Sequence, residues 1–187
     1  MSLPLRRKRA LTVEEYHWMG RVGIIGPEER VELLKGEIYR MPPIGPSHAG
    51  GVNAASESLR ERSARRFFVS VQNPVHLDEY TEPVPDIALL RWRDDFYRLA
   101  HPTPADVFLV IEVANSTLKS DRSQKIPLYA RAGIPEVWLV NIPGRRVEQH
   151  AEPVAGVYQV ARVWQRGETV QAHTLAELSL PVNDIIG

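Results

Sequence analysis

Cysteine is absent from this 187-residue chain, which removes disulfide frameworks, thiolate nucleophiles, cysteine zinc sites and iron–sulfur clusters in one step. Any metal must therefore be held by oxygen or imidazole. Net charge is missing as well: 23 lysines and arginines balance 23 aspartates and glutamates. No global field steers such a molecule onto nucleic acid, and an anionic partner has to be met locally. No stretch approaches the roughly 18–20 consecutive apolar residues of a membrane span. The start, MSLPLRRKRALTVEEY, has no apolar core after its basic cluster, unlike a signal peptide. These features lead us to expect a soluble, cytoplasmic protein. No internal repeat, low-complexity run or long linker divides the sequence, so we expect one domain over residues 1–187 with a core at about 29–142.

The first helix is expected after Thr12, because Thr12 and Glu15 have capping-box spacing and Tyr16, Met19 and Val22 follow at helical intervals. Residues 29–41 (ERVELLKGEIYRM) read as two short strands around Lys35-Gly36. Ser47 heads a helical run with Val52, Ala55 and Leu59 on one face. Strand patterns follow in FFVSVQ, VPDIALL, VFLVIEV and EVWLVNI, the last two apolar on both faces and so expected to be buried. Between these two, Asp121 caps a helix carrying Lys125, Tyr129 and Ala132 and stopped by Gly133, which predicts a βαβ crossover with parallel strands. The polar stretch 91–106 belongs at the surface. Near the carboxyl end, VYQVARVW and ETVQAHT read as a hairpin around Arg166-Gly167.

Glu112 is the most informative residue. Alternation puts Val107, Leu109, Ile111 and Val113 on one face of VFLVIEV and Phe108, Val110 and Glu112 on the other, so a carboxylate extends an apolar row. An isolated ionised carboxylate there is costly; it either emerges beyond the sheet, in water or on a backbone amide, or belongs to a site at the strand end. Asp86 opens the preceding strand after Pro85. If the two strands are neighbours, both acids can share one hard cation, which stabilises them as anions where they would otherwise repel. Oxygen ligands with open water positions suit Mg2+ or Mn2+. Lys125 lies about four residues from the Asp121 cap, roughly 6 Å along a helix axis. Its ammonium either snorkels to solvent or faces the carboxylates, where it could orient water or stabilise charge on a phosphate.

This constellation resembles the Uma2 family, which belongs to the PD-(D/E)XK nuclease superfamily with the restriction-endonuclease-like fold. The matching words are VELLKGEIYRMPP, His48 at a helix start, VQNPVHL, EPVPDIALL, VIEVANST and DRSQKIPLYARAGIPEVWLVNI. The resemblance implies an α/β fold: a mixed central sheet flanked by helices, with an N-terminal hairpin and C-terminal strands around the restriction-endonuclease-like core. It implies metal-binding roles for Asp86 and Glu112 and a catalytic role for Lys125. Ala114 stands where the superfamily signature has its strand lysine, and the family pattern moves that lysine onto the next helix.

Three residues in matching segments are secondary candidates. Glu37 is either an extra metal-site acid or a solvated hairpin charge, His48 a phosphate or water ligand or simple helix-start polarity, and Gln72 a strand residue projecting into the same site. Arg6, Arg7, Lys8 and Arg9 form a basic terminus, and Arg60, Arg62, Arg65 and Arg66 a basic helix edge diluted by Glu57 and Glu61. His17, His76, His101, His150 and His173 show no metal-ligand spacing and read as structural or exposed. The expected function is metal-dependent hydrolysis of nucleic-acid phosphodiesters, probed against a non-catalytic nucleic-acid-binding or assembly protein and a hydrolase of smaller phosphate esters. DNA is the expected substrate and a homodimer the expected assembly.

Overall fold

Local signals decide the amino-terminal elements. In the computed structural model, which describes residues 8–186, α1 (Val13–Arg21) starts from a complete capping box: the Glu15 amide donates to Thr12 Oγ1 at 3.1 Å and the Thr12 amide to Glu15 Oε2 at 3.0 Å. β1 (Val31–Leu34) and β2 (Glu37–Arg40) form the expected hairpin. Its turn places Lys35 at φ 53° and Gly36 at φ 75°, the left-handed pair of a tight two-residue loop. A Cβ on Gly36 would lie 2.5 Å from Ala10 Cβ, so both conformation and space require glycine. α2 (Pro46–Ser63) buries Val52, Ala55 and Leu59 as its spacing predicts. Its cap is Gly45, not Ser47: Pro46 occupies the first turn, where a missing N–H costs nothing, and draws the helix start forward.

β3 (Phe68–Val71), β4 (Ile87–Leu90) and β5 (Val107–Ala114) pair in that order, each antiparallel to the one before it. From β5 the chain enters a continuous helical segment made of α3 (Leu118–Ser120), a π-helical turn (Asp121–Lys125) and α4 (Ile126–Ala132). Gly133 stops it at φ 78°. Asp121 therefore does not cap this segment; it lies inside it, one turn from the start. β6 (Glu136–Asn141) returns parallel to β5, in register from Val110↔Val137 to Ala114↔Asn141, and the crossover is as expected. β7 (Arg146–Val154) and β8 (Val157–Gln165) complete a six-stranded mixed sheet of order β3-β4-β5-β6-β7-β8. β9 (Thr169–Gln171), β10 (Ser179–Pro181) and α5 (Val182–Ile186) end the described chain.

The sheet carries a core on each face. Leu109, Ile111, Val113, Trp138 and Val140 pack against α2, α5 and the small β9–β10 sheet. Val110, Ala114, Val137 and Leu139 pack against Ile126, Leu128 and Tyr129 of the crossover helix. One expected alternation breaks at the start of β5. Leu89 pairs with Leu109 but Leu90 with Val107, leaving Phe108 as the extra residue of a β-bulge. Val107 consequently joins the helix-crossover core and Phe108 the opposite one, the reverse of simple alternation. Glu112, beyond the bulge, keeps the face of Val110 and Ala114.

The hairpin read around Arg166-Gly167 is corrected by the sheet. β8 pairs with β7, and β9 with β10 instead. The true hairpin turns at Ala155 (φ 50°) and Gly156 (φ 79°). β7 is hard to read as a buried strand because Glu148 and Gln149 lie inside it; both are hydrogen-bonded, Glu148 by Arg122 and Arg146, and Gln149 to Glu136. Stretch 91–106 lies at the surface as expected, folded over the ring cluster of Phe68, Trp92, Phe96 and Tyr97. The basic terminal residues Arg6 and Arg7 lie outside the described residues. Among those described, no helix is long and apolar enough to cross a membrane.

Glu136, fully buried at the start of β6, ties the carboxyl-terminal segment to the sheet. Its Oε1 accepts from Trp138 Nε1 (2.6 Å) and Gln149 Nε2 (2.7 Å), and its Oε2 from the amides of His173 (2.8 Å) and Thr174 (3.0 Å). Glu136→Gln turns one acceptor atom into a donor among donors. We expect it to lower stability by about 2–4 kcal/mol and the melting temperature by roughly 5–15 °C, read by thermal denaturation, with metal affinity unchanged.

Candidate active site

The register of β4 and β5 decides the geometry. Ile87 faces Ile111 across the pair, so Asp86, immediately before β4, comes opposite Glu112 on one face of the sheet. Directly opposed antiparallel residues have Cβ atoms about 4.5–5.5 Å apart. Pro85 offers no amide to continue the ladder. The Asp86 side chain continues it instead, Oδ2 accepting from the Val113 amide at 2.8 Å. Its Oδ1 faces His48 Nε2 at 3.0 Å and accepts from Gln72 Nε2 at 3.3 Å.

His48, in the first turn of α2, faces an acceptor from each ring nitrogen: Asp86 Oδ1, and the Val113 carbonyl 2.7 Å from Nδ1. A neutral imidazole has one proton to donate, so this pairing favours the imidazolium. The hydrogen bond to Asp86 raises the His48 pKa accordingly, against an opposing effect of burial.

Lys125 ends the π-helical turn and is buried. Its Nζ lies 3.0 Å from Glu32 Oε2 and 3.2 Å from Glu112 Oε1. The Tyr129 hydroxyl, one helical turn on, donates to the same Glu112 oxygen at 2.6 Å. Glu112 Oε2 accepts no hydrogen bond among the described residues. Glu32 Oε2 also accepts from the Val84 amide at 3.2 Å, which fixes β1 against the segment leading to Asp86. Asp121 is buried nearby, and all these acids line one cleft of about 170 Å3 together with His48 and Lys125. That volume is well above the roughly 10–15 Å3 that one water requires.

Four carboxylates, Glu32, Asp86, Glu112 and Asp121, share the cleft with Lys125 and His48, and Arg30 and Arg40 also line it. Burial pushes the Glu112 pKa up to about 8; Lys125 pulls it down, and Asp86, Asp121 and Glu32 reinforce the rise. Asp121 is raised for the same first reason. Burial opposes the charge on Lys125, but Glu112, Glu32 and Asp121 outweigh it and hold the ammonium protonated. Burial and the neighbouring carboxylate raise Tyr129 well above its ordinary value, so it remains a hydrogen-bond donor.

Of the residues singled out in the sequence, Asp86, Glu112 and Lys125 converge, and His48 and Gln72 both reach Asp86. Glu37 does not join them. It sits at the turn end of the hairpin, where it meets Lys8 at 3.2 Å and accepts from the Tyr39 hydroxyl at 2.9 Å. Its place is taken by Glu32, on the other strand of that hairpin. The sequence did carry a signal for Glu32, a lone charge within the apolar strand VELL. In the sequence Asp121 has only the mark of a helix cap and Tyr129 only its place in the helical run. Of the histidines without ligand spacing in the sequence, His17 and His101 meet Glu82, with ligand atoms all within 4.8 Å of one another, in a cluster separate from this cleft.

The Uma2 family, described as "Putative restriction endonuclease", matches residues 13–183. The chain belongs to the Uma2 family. No curated protein matches it. Among solved structures it is similar to a protein from Anabaena variabilis ATCC 29413 described as "a putative nuclease belonging to DUF820". The two share 16% identity and a TM-score of 0.70, over 94% of this chain and 97% of the other. The likeness shows a common fold, the mixed α/β sheet flanked by helices. Restriction-endonuclease-like proteins generally use divalent metals. The donor set of the cleft fits one: carboxylate oxygens from Asp86 and Glu112, no sulfur, and a Glu112 oxygen without a hydrogen bond.

A raised carboxyl pKa carries a definite sign. Glu112 holds its proton more tightly folded than unfolded, so its contribution to stability is complete below pH 4.5 and is lost as pH rises towards about 8. His48, also raised, acts in the same direction above its ordinary value of 6.5. Metal-free protein should therefore lose melting temperature between pH 5 and 8, and Glu112→Gln should lose less. A steeper fall in the variant would refute the protonated Glu112; differential scanning calorimetry in chelator decides it.

Proposed function

We propose that this Uma2 protein is a metal-dependent endonuclease that hydrolyses phosphodiester bonds of nucleic acid, DNA foremost, in the cytoplasm. The observation that carries this reading is the opposition of Asp86 and Glu112 across β4 and β5, with the Lys125 ammonium 3.2 Å from Glu112. Asp86 and Glu112 would hold Mg2+ or Mn2+. When bound, such an ion polarises the phosphate and lowers the pKa of a coordinated water. Overall, a water oxygen forms a bond to phosphorus, the P–O bond to the leaving nucleoside breaks, and the water proton ends on the departing oxygen or in solvent.

The chain's own groups supply positioning and charge. Glu32 and Glu112 hold two of the three protons of the Lys125 ammonium, leaving one for the cleft, where negative charge grows on the phosphate. Tyr129 orients the Glu112 carboxyl through Oε1 and leaves Oε2 open. His48 and Gln72 fix Asp86, and the imidazolium compensates its charge until a cation arrives. Lys125 reaches from the helix the position that a strand lysine cannot fill here, since Ala114 stands in its place.

One observation favours a second reading, a non-catalytic nucleic-acid-binding protein. Lys125 is already engaged by two carboxylates, and a network that satisfies itself needs no substrate. The two readings part on paired variants. For the endonuclease, Glu112→Gln lowers Mn2+ affinity and metal-dependent cleavage together, while Lys125→Met retains Mn2+ binding and loses about 10²–10³-fold in turnover. Calorimetry with Mn2+ beside a plasmid-cleavage assay measures both. Unchanged Mn2+ affinity in Glu112→Gln, with metal-independent DNA binding of steep salt dependence, supports the binding protein instead.

A homodimer completes the proposal, letting two clefts address two strands of a duplex. β8 is an edge of the sheet, with Val157 and Val163 63% and 53% exposed, and an apolar open edge invites pairing with a second copy. Sedimentation equilibrium should give twice the chain mass, and Val163→Lys should restore the monomer.

A further inference from the structure

Away from the cleft, three segments converge on a second buried acid. Glu82, in the segment between β3 and β4, is 2% exposed. Its Oε1 lies 2.6 Å from Nε2 of His17, on α1. Its Oε2 is buried with no hydrogen-bond partner; His76 Nδ1 stands 3.4 Å away, near enough to attract but not aligned to donate. His101, from the surface stretch between β4 and β5, brings its ring to 5.9 Å from that of His17, at 67°. Ligand atoms of His17, Glu82 and His101 all lie within 4.8 Å of one another, beside a cavity of about 810 Å3.

We propose that His17, His101 and Glu82 form a binding site for a zinc-like divalent transition cation, with His76 orienting the carboxylate. The Glu82 carboxylate is buried with one oxygen on His17 alone and the other without a hydrogen bond, an incomplete complement that is costly and that a cation would fill. Two imidazoles and one carboxylate select a borderline metal such as Zn2+ over Mg2+, which demands oxygen. Zinc bonds of about 2.0–2.2 Å place tetrahedral ligand atoms roughly 3.3 Å apart. The His17 Nε2–Glu82 Oε1 separation of 2.6 Å is shorter than that and the other separations are within 4.8 Å, and rotation of the partly exposed His17 and exposed His101 side chains would close the set.

The site would do more than fill a gap. It joins α1, the segment before β4 and the surface stretch after β4, which main-chain hydrogen bonds from Val13 to Glu79 (2.8 Å) and from His76 to Pro102 (2.9 Å) already bring together. Glu82 is also paired with β1 through its main chain, its amide donating to the Leu33 carbonyl (2.7 Å) and its carbonyl accepting from the Leu33 amide (3.3 Å). Leu33 adjoins Glu32. A cation on Glu82 therefore braces the strand that pins Lys125, without belonging to the cleft.

Equilibrium dialysis of chelator-stripped protein against Zn2+, with melting curves at each step, tests the site. The comparison is between wild type, His17→Ala/His101→Ala, Glu82→Gln and Asp86→Asn/Glu112→Gln. We expect the paired histidine variant to bind one Zn2+ fewer than wild type and to lose the zinc-induced rise in melting temperature. Glu82→Gln should weaken that site at least tenfold. Asp86→Asn/Glu112→Gln should keep it, as should wild type in excess Mg2+. His101 is exposed and His17 partly so, and the apo melting temperature of the paired variant, expected near that of wild type, shows that it folds. The proposal falls if the paired variant binds zinc with wild-type stoichiometry and affinity. It falls equally if wild type binds none, or if the zinc is lost only with Asp86 and Glu112, which would make His17, His76 and Glu82 a plain ion-pair cluster. None of these outcomes depends on nuclease activity.

Discussion

A single ammonium buried among carboxylates organises this protein. Lys125 alone would be expelled from the interior, and Glu32 and Glu112 alone would repel each other there. Together they hold, and each is delivered by a different part of the fold: Glu32 by the amino-terminal hairpin, Glu112 by the central strand β5, Lys125 by the crossover helix. The arrangement is strict in its demands. β5 and β6 must be parallel so that the crossover begins above the end of β5, and the hairpin must pack against the segment before β4 so that Glu32 looks inward. The π-helical turn is part of the same constraint. It holds both Asp121 and Lys125 in the buried side of one turn, and wide turns of this kind concentrate at functional sites.

What could be read beforehand follows from this physics. Apolar runs mark strands that are buried on both faces, and β5 and β6 were legible for that reason. Glu112 stood out because an acid at the end of such a row violates the pattern. Capping at Thr12 and the Lys35-Gly36 turn are local chemistry, settled within a few residues. The illegible parts are those in which a polar residue is buried with a distant partner. Glu148 and Gln149 make β7 look solvent-facing, although Arg122 and Glu136 meet them from other elements. Glu32 has the same disguise, since its justification, Lys125, lies far along the chain. The bulge at Phe108 is invisible for a different reason: it depends on the register with β4, and single-strand alternation contains no register.

Three buried glutamates show how completeness of pairing separates structural acids from chemical ones. Glu136 accepts hydrogen bonds at both oxygens, from side chains and from two backbone amides, and has nothing left to offer. It is a fastener. Glu112 has one oxygen shared between an ammonium and a phenol and the other without a partner, and its pKa lies near 8. Such a group exchanges its proton for a cation at modest cost, whereas Glu136 would have to surrender several hydrogen bonds to do so. Glu82 is in between, with one oxygen on His17 and the other buried without a hydrogen bond, His76 standing 3.4 Å away. Desolvation has been incurred at all three, but only at Glu136 has the protein itself returned the full hydrogen-bond complement. At Glu112 and Glu82 part of that complement is left to something that comes from outside, and the neighbours decide what it is: carboxylates and a lysine at the first favour a hard cation and a phosphate, imidazoles at the second a softer one.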